Sequence, residues 1–338
     1  MMKKLKFMIG LIAMISSLSL NAQSNLKLVN KIHVEGDGGW DYISVDELNG
    51  RIFVSHAMVA QAIDIKTGKL AGTIPDTKGI HGIAIAAGLN KGFTSNGRDS
   101  SVTVFNLKTL AVITKIKINA KNPDAICYDP FSQKIFTFNG GSSNATVIDA
   151  KTNKVITNIP LEGKPEFSVT DGKGKIFVNI EDKSSMNVIN TATLKAEKRW
   201  SIAPGEEPSG LAIDLENNRL FSVCSNKLMV VSDAKTGKVI TTLPIGDRCD
   251  GVAFDPGTKR AYSSNGEGTI TVVKQLNKDS YKVLETIATQ KGARTITIDN
   301  NTHHLYLPTA DYGATPSGGG RPAIKPDSFV ILDIEQLK

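Results

Sequence analysis

A twelve-residue segment occurs three times in this chain with few substitutions. It begins at Asp64, Asp149 and Asp233, and the last two copies read Asp-Ala-Lys-Thr-Asn-Lys-Val-Ile-Thr-Asn-Ile-Pro and Asp-Ala-Lys-Thr-Gly-Lys-Val-Ile-Thr-Thr-Leu-Pro. The copies are 85 and 84 residues apart (149 − 64 and 233 − 149), and weaker copies at Asn106 and Asn190 reduce the period to about 42 residues. A unit of this length cannot bury its own apolar face, so it must stack against copies of itself.

Each unit contains four short segments that are typical of β-strands. In one unit they are residues 209–214, 219–224, 227–232 and 238–243, and the last two are joined by a Lys-Thr-Gly-Lys turn. The chain has 30 glycines and lacks long helical patterns, which favours an all-β protein. Four antiparallel strands per unit predict the blade of a β-propeller.

Alignment on the first strand gives seven units, so we predict a seven-bladed β-propeller of four-stranded antiparallel blades. The first positions of the seven units are Asp41, His81, Asp124, Glu166, Ser209, Asp250 and Arg294. Residues 26–33 resemble a fourth strand with no first three before it, whereas the last unit ends after three strands. We expect the N-terminal strand to complete the last blade and close the ring.

The first 22 residues have the pattern of a secretory signal peptide. Three lysines precede the apolar run 7–15, and small residues lead to a cleavage point near Ala22. The run is too short to span a membrane, and no cysteine at the cleavage point could take a lipid. We therefore predict a periplasmic or secreted protein that is not an integral membrane protein, with one propeller domain at 23–338.

The charge of the chain is moderately basic. Removal of the signal peptide takes away three lysines and no acids, so the formal net charge falls from +7 to +4. Acids and bases alternate along the rest of the chain without a run of one sign. A nucleic-acid surface is therefore an alternative that the sequence does not single out.

The blade signature resembles that of a known family. It consists of an Asp-x-Lys-Thr-Gly-Lys-Val turn, then Ile-Pro, then an Ala-x-Asp-Pro strand, and a degenerate aromatic strand such as Phe93-Thr-Ser-Asn96 or Tyr262-Ser-Ser-Asn265. These motifs resemble the YVTN-repeat propellers and, among them, the exported YncE-like proteins of bacteria. The resemblance covers essentially the whole mature chain. It implies the propeller fold but no shared chemistry, because the group is defined by its blades.

The two ends of each first strand differ in what they repeat. Five residues after the first position an acid occurs in six of seven units, namely Asp46, Asp129, Asp171, Asp214, Asp255 and Asp299. We interpret these acids as caps of the following turn. The first positions instead mix sizes and signs that no common structural need would select. Because first strands line the channel of a propeller, we predict the functional site at this mouth.

The predicted ligand-binding residues at the mouth come from several units. They are Asp41, His56, His81, Arg98, Asp124, Glu166, Asp250, Arg294, Tyr312 and Arg321. Among them, Asp41, His56 and His81 lie in two adjacent units and predict a divalent metal site, which the carboxylates Asp124, Glu166 and Asp250 would extend or use to hold calcium in place of zinc. The alternative is a solvated, hydrogen-bonded channel lining. We expect His303 and His304 to lie exposed on the opposite face.

Two further features map to the mouth. Residues 310–327 form a long Gly- and Pro-rich loop that is either a lid carrying Tyr312, Arg321 and Lys325 or a tolerated surface insertion. Cys224 and Cys249 come from neighbouring units, and the sequence leaves open whether they form a disulfide.

These observations leave two main classes of function. The first is an exported, non-enzymatic propeller that binds a small ligand, a cell-surface polymer or a protein at the channel mouth. The second is a metal-assisted hydrolase or lyase, in which His81 or His56 ligates the metal or acts as general base. Single-stranded nucleic acid is a third alternative. No residue is assigned a catalytic role, because no catalytic motif is recognisable in the sequence.

Overall fold

The computed structural model describes residues 26–318, 320 and 322–337, which form seven four-stranded antiparallel sheets. The predicted signal peptide and Arg321 lie outside the described residues. The strands of the first four blades, preceded by β1 (Leu26–His33), are β2 (Trp40–Asp46), β3 (Arg51–His56), β4 (Val59–Asp64), β5 (Leu70–Ile74), β6 (Ile80–Ala86), β7 (Lys91–Asn96), β8 (Ser101–Asn106), β9 (Val112–Lys117), β10 (Pro123–Asp129), β11 (Lys134–Asn139), β12 (Asn144–Asp149), β13 (Lys154–Pro160), β14 (Pro165–Thr170), β15 (Lys175–Ile180), β16 (Ser185–Asn190) and β17 (Lys195–Ser201). The strands of the last three blades are β18 (Pro208–Asp214), β19 (Arg219–Cys224), β20 (Leu228–Asp233), β21 (Val239–Pro244), β22 (Cys249–Asp255), β23 (Arg260–Asn265), β24 (Thr269–Asn277), β25 (Ser280–Ala288), β26 (Thr297–Asp299), β27 (His304–Thr309) and β28 (Val330–Gln336).

The predicted seven-bladed propeller is confirmed. Six blades use four consecutive strands, and the first strands of neighbouring blades lie side by side around the whole ring, from β2 through β22 to β26 and back to β2. The last blade has the order β1-β28-β27-β26, with Leu26 opposite Gln336 and His33 opposite Val330. The N-terminal strand therefore completes the last blade, and the first and last strands of the described chain are hydrogen-bonded together.

The core lies between the blades. The second strand of every blade carries one aromatic residue that is 2% exposed or less. These residues are Phe53, Phe93, Phe136, Phe177, Phe221, Tyr262 and Tyr306. Burial of each such side chain contributes on the order of 2 kcal/mol, so the repeated aromatic is a packing residue.

The repeated acids cap turns as the sequence predicts, and three of them also link blades. Asp214 accepts hydrogen bonds from the backbone N–H groups of Glu216 and Asn217, at 3.0 and 3.2 Å. It also accepts one from the side-chain amide of Gln275 in the next blade, at 2.8 Å. Two equivalent contacts join Asp129 to Thr170 and Asp255 to His303. The acids at this end of the first strands therefore hold both a turn and a neighbouring blade.

The channel mouth lies at the other end of the first strands. In six blades the predicted ring residue is the second residue of the first strand, directly after a buried one such as Trp40 or Ile80. In the last blade β26 begins only at Thr297, so Arg294 precedes the strand. Its carbonyl oxygen accepts a hydrogen bond from Ser264 at 2.5 Å, which ties the segment to the preceding blade.

Helical structure is limited to two 3-10 turns, Ala87–Leu89 and Glu181–Lys183, in the part of the chain that the structure describes. No helix of the described residues has the length and apolar character needed to cross a membrane.

Candidate functional site at the channel mouth

Charged side chains from four consecutive blades are joined at the mouth. The guanidinium of Arg294 contacts Asp250 through Nε at 2.7 Å and Asp41 Oδ1 through Nη2 at 3.3 Å. Asp41 Oδ2 lies 2.6 Å from His81 Nδ1. The four residues come from the sixth, seventh, first and second blades in turn. The ring therefore consists of ion pairs and hydrogen bonds that cross blade boundaries.

Two more carboxylates continue this ring. Asp124 Oδ1 lies 3.6 Å from His81 Nδ1, which is too far for a hydrogen bond. Glu166 Oε1 accepts a hydrogen bond from Lys164 Nζ at 2.8 Å, and the same ammonium group also contacts Glu181. The sequence interpretation missed Lys164, because it lies in the loop before the strand and outside the aligned position.

The electrostatics of the mouth favour retention of protons. Burial, with the nearby charges of Asp41 and Asp250, raises the pKa of Asp124 to about 6, although His81 opposes the shift. Burial and the charge of Asp124 raise the pKa of Glu166 to about 8 against the opposing effect of its lysine. Burial disfavours the charged form of His81, but its carboxylate neighbours outweigh burial and raise the pKa of the imidazole.

His56 does not join this group. Its Nδ1 lies 2.8 Å from Gln61 Oε1, its ring centroid lies 4.1 Å from that of Phe329, and it is 2% exposed. Burial lowers the pKa of its imidazole. The end of β3 points into the packing between the first and last blades, so His56 is a core residue in the structure.

The clustered set of metal-type donors is therefore different from the predicted one. Within the described ranges, one group of three such residues has donor atoms within 4.8 Å of one another, and it consists of Asp41, His81 and Asp124. Asp124 replaces His56 in the predicted set. The sequence already indicates Asp124 as a carboxylate that would extend the set, because it occupies the ring position of the blade next to His81.

A cleft of about 510 Å³ opens beside the ring, under the long loop of the last blade. Its lining includes Arg248, Lys291, Arg294, Asp250 and Tyr312. The base of the loop is fixed, because Tyr312 forms a bridge with Ile324 and its ring centroid lies 6.2 Å from that of Trp40. A larger cleft of about 600 Å³ lies between the sixth and last blades, and no ring residue lines it.

The contact between the loop and the blade depends on a glycine. Gly292 has φ +90°, and a Cβ there would lie 2.5 Å from the Tyr312 hydroxyl oxygen. A side chain at this position would therefore displace the loop from the mouth.

Arg248 was not among the predicted residues. It has φ +55°, a left-handed conformation that costs a non-glycine residue about 1 kcal/mol. Neither its side chain nor that of Lys291 has a polar partner among the described residues, and both are exposed. Comparison of the units at the position two before the ring does not single it out, because Gly39, Gly79 and Gly292 share that place with Asn122, Lys164 and Glu207.

The remaining predicted residues are spread over the same face and the opposite one. Arg98 is exposed in the turn after β7, and it does not line the cleft. Ser209, at the ring position of the fifth blade, is uncharged and donates a hydrogen bond to the carbonyl of Cys249 at 3.1 Å. On the opposite face His303 and His304 are not exposed as expected, because Asp255 and Asp333 pair with them at 2.9 and 2.6 Å.

The two mouth cysteines are free thiols. Cys249 Sγ donates to the carbonyl of Cys224 at 3.1 Å, and both residues are buried. Burial raises the pKa of each thiol to about 12, so neither is activated as a nucleophile.

Fold and mouth together define a seven-bladed β-propeller with a charged ring at one end of its channel. No family model matches the sequence, and no curated protein matches it either. Solved structures do match, in 1853 chains, so the fold does not by itself select a function. One of them is hydrazine synthase from Kuenenia stuttgartiensis, with a TM-score of 0.71 and 16% identity over 81% of this chain and 94% of that chain. At this identity the likeness supports the fold alone.

Proposed function

We propose that this chain is an exported, YncE-like YVTN-repeat propeller that binds a small anionic ligand at the channel mouth. Export and family membership are supported by the signal-peptide pattern and by the repeated Asp-x-Lys-Thr-x-Lys-Val turns. The ligand site is the cleft beside the ring, under residues 310–327. It acts as a binding site, and no residue in it has a catalytic role.

The observation that carries the ligand class is the presence of unpaired cations in this cleft. Arg248 and Lys291 bring two positive charges without a polar partner among the described residues, whereas Arg294 is already paired with Asp250 and Asp41. A guanidinium group binds a carboxylate or phosphate through two parallel hydrogen bonds. A cleft of about 510 Å³ has the size of a small-molecule site.

The left-handed backbone at Arg248 is shared by other blades and does not by itself indicate a ligand. Asn122 and Glu207 have φ +51° and +45° at the equivalent position. Glycine also fits this conformation, so Arg248→Gly removes the side chain and its charge without disturbing the backbone.

The proposal is tested by isothermal titration calorimetry of the mature protein at low salt, with inorganic phosphate and citrate as probes and glucose as the uncharged control. We expect at least one of the two anions to bind and glucose not to bind, and we expect Arg248→Gly to weaken anion binding by about tenfold or more. The variant should remain as stable as the parent protein, because glycine relieves the left-handed strain.

Glu207→Gly is the matched control variant. Glu207 occupies the equivalent position in the preceding blade, has φ +45°, and does not line the cleft. It should bind the anions as the parent protein does. The proposal is wrong if the parent protein binds neither anion, or if the two glycine variants bind them equally well.

A metal-assisted hydrolase or lyase at the mouth is the second candidate function. The clustering of Asp41, His81 and Asp124 favours it, because a bound cation there could polarise a carbonyl or phosphoryl oxygen. This candidate requires a metal ion. It is abandoned if chelator-treated protein that has been given zinc or calcium hydrolyses none of a panel of ester, lactone and phosphate substrates.

A further inference from the structure

Three metal-type donor atoms from neighbouring blades converge at the channel mouth. Asp41 Oδ2 and His81 Nδ1 are 2.6 Å apart, His81 Nδ1 and Asp124 Oδ1 are 3.6 Å apart, and all three atoms lie within 4.8 Å of one another. Each residue lies at the ring position of its first strand, in the first, second and third blades. Their placement is therefore fixed by the stacking of rigid blades and not by a loop.

One member of this group lacks a hydrogen-bond donor. The side chain of Asp124 is 15% exposed, and His81 Nδ1 lies 3.6 Å from its carboxylate, beyond hydrogen-bond distance. By contrast, Asp41 contacts Arg294 through one oxygen and His81 through the other. A carboxylate that is largely removed from water without a donor costs free energy, and a bound cation would lower that cost.

The acidic side chains of the mouth favour a bound cation. Carboxylates occupy four ring positions, Asp41, Asp124, Glu166 and Asp250, and Lys164 also contacts a fifth carboxylate, Glu181. The permanent cations in contact with them are Arg294 and Lys164. Acidic groups therefore outnumber permanent cations here, and a bound metal ion would reduce the repulsion among them.

We propose that Asp41, His81 and Asp124 bind one divalent transition-metal ion of the zinc class. One imidazole nitrogen and two carboxylate oxygens suit zinc, whereas calcium prefers six to eight oxygen ligands. Metal–ligand distances of about 2.0–2.2 Å place ligand atoms roughly 3.3–3.5 Å apart, so the pair at 3.6 Å already fits. The pair at 2.6 Å opens by less than about 1 Å when the metal replaces the shared proton.

Two neighbours hold the ligands in place. Arg294 fixes the second oxygen of Asp41 at 3.3 Å. Gly97 packs against the imidazole of His81, since a Cβ there would lie 2.8 Å from Nε2. Such contacts orient metal ligands and tune their affinity. No fourth His, Cys, Asp or Glu side chain of the described residues joins this group, so water or a ligand donor would occupy the remaining coordination position.

The chain contains a matched control for this site. His304 and Asp333 form a pair on the opposite face with the same 2.6 Å separation between Nδ1 and a carboxylate oxygen. No second carboxylate of the described chain joins this pair in a metal-type group. The proposal therefore predicts one zinc ion per chain and no binding at His304.

The experiment uses the mature protein after removal of metals with a chelator. Zinc binding is measured by calorimetry and by elemental analysis after gel filtration, and cobalt(II) serves as a spectroscopic probe of the coordination sphere. We expect one equivalent of zinc, a raised melting temperature, and a d–d absorption band of bound cobalt. Asp124→Asn and His81→Gln should each weaken zinc binding about 100-fold or more, whereas His304→Gln should leave it unchanged.

Several results would overturn this proposal. They are the absence of stoichiometric zinc in the parent protein, unchanged binding in Asp124→Asn, or loss of binding in His304→Gln. If His81→Gln fails to fold, Asp124→Asn decides the matter, because it keeps the shape of the side chain and removes only its charge. The result is separable from the proposed anion site, since Arg248→Gly should retain zinc and Asp124→Asn should retain phosphate binding.

Discussion

Acidic residues lie at both ends of the first strands, but their contacts differ between the two ends. At one end Asp129, Asp214 and Asp255 are fully buried, and each accepts hydrogen bonds from the turn that follows and from the next blade. At the mouth the carboxylates of Asp41 and Asp250 are paired with Arg294, and Asp124 has no donor among the described residues. The repeated acids therefore stabilise the contacts between blades, whereas the acids at the mouth contact other charged side chains, and Asp124 among them lacks a hydrogen-bond donor.

The two His–Asp pairs repeat this contrast on a smaller scale. Both have 2.6 Å between Nδ1 and a carboxylate oxygen. His304 and Asp333 lie on two strands of one blade, where they support a strand pair. His81 and Asp41 lie on different blades, with a second carboxylate 3.6 Å away. The same contact is structural in one place and part of a candidate site in the other.

The largest loss of stability is expected at the end of the first strands that carries the repeated acids. Asp214→Ala removes the acceptor of two backbone N–H groups and leaves the buried amide of Gln275 with Tyr281 as its remaining partner, so the free energy of unfolding should fall by about 3 kcal/mol. The midpoint of urea unfolding measures this loss. Asp171→Ala is the control, because Asp171 caps only its own turn, through the N–H groups of Lys173 and Lys175, and should cost about 1 kcal/mol.

Equal losses of unfolding free energy in Asp214→Ala and Asp171→Ala would contradict this comparison. In that case the hydrogen bond to the next blade would add nothing to the turn cap.

Acids at the mouth and repeated acids at the other end of the first strands should make stability depend on pH with opposite signs. The raised pKa values of Asp124, about 6, and Glu166, about 8, mean that the stability present below pH about 4 is lost as the pH rises through these values. At the other end burial opposes ionisation of Asp129, but hydrogen bonds from Ser132 and Thr170 outweigh it and lower the pKa. That contribution is present above pH about 4 and is lost as the pH falls.

Melting temperatures between pH 5 and pH 9, in the presence of a chelator, test this sign. The parent protein should lose on the order of 2 kcal/mol of stability over this range, and the double variant Asp124→Asn/Glu166→Gln should lose much less. Glu162→Gln, at a side chain that is 82% exposed, should behave as the parent protein does. A parent protein whose stability rises from pH 5 to pH 9 would contradict the raised pKa values.

Much of the fold could be predicted from the repeat. The spacing of the Asp-x-Lys-Thr-x-Lys segments predicted the number of blades, and the unpaired strand at 26–33 predicted how the ring closes. Alignment also identified the ring positions, because a residue that fails to repeat stands out against repeated neighbours.

The parts that could not be predicted depend on contacts between blades. His56 and Asp124 both map to the mouth in the alignment, but the packing of the first blade against Phe329 buries only His56. The link from Asp214 to Gln275 joins residues 61 positions apart in the sequence. Contacts between blades depend on the twist of the sheets and on the angle between neighbouring sheets, and the repeat pattern in the sequence contains neither.

An intermediate effect is expected where the mouth is held together by charge. Arg294→Ala leaves Asp250 and Asp41 without their shared cation, so the free energy of unfolding should fall by about 1–2 kcal/mol, less than for a fully buried pair because the arginine is 34% exposed. Thermal unfolding at pH 7 measures it. Arg294→Lys should recover part of the loss, since an ammonium keeps the charge but cannot contact both carboxylates in the same geometry. Equal losses in the two variants would show that packing, and not charge, holds the mouth together.

The smallest effect is expected at Gly97, which adjoins the mouth pair. A Cβ in Gly97→Ala would lie 2.8 Å from His81 Nε2 and 2.7 Å from Asn122 Oδ1, both of which are ends of side chains that can shift. The global stability should therefore fall by only about 0.5–1 kcal/mol. The ring resonances of His81 in an NMR spectrum should nevertheless move, because the imidazole is pushed against Asp41. Gly88→Ala is the control, since a Cβ there meets nothing within 4 Å and should change neither quantity. A shift of the His304 resonances in Gly97→Ala would mean that the two His–Asp pairs are coupled through the blades. The contrast between a structural pair and a candidate site would then fail.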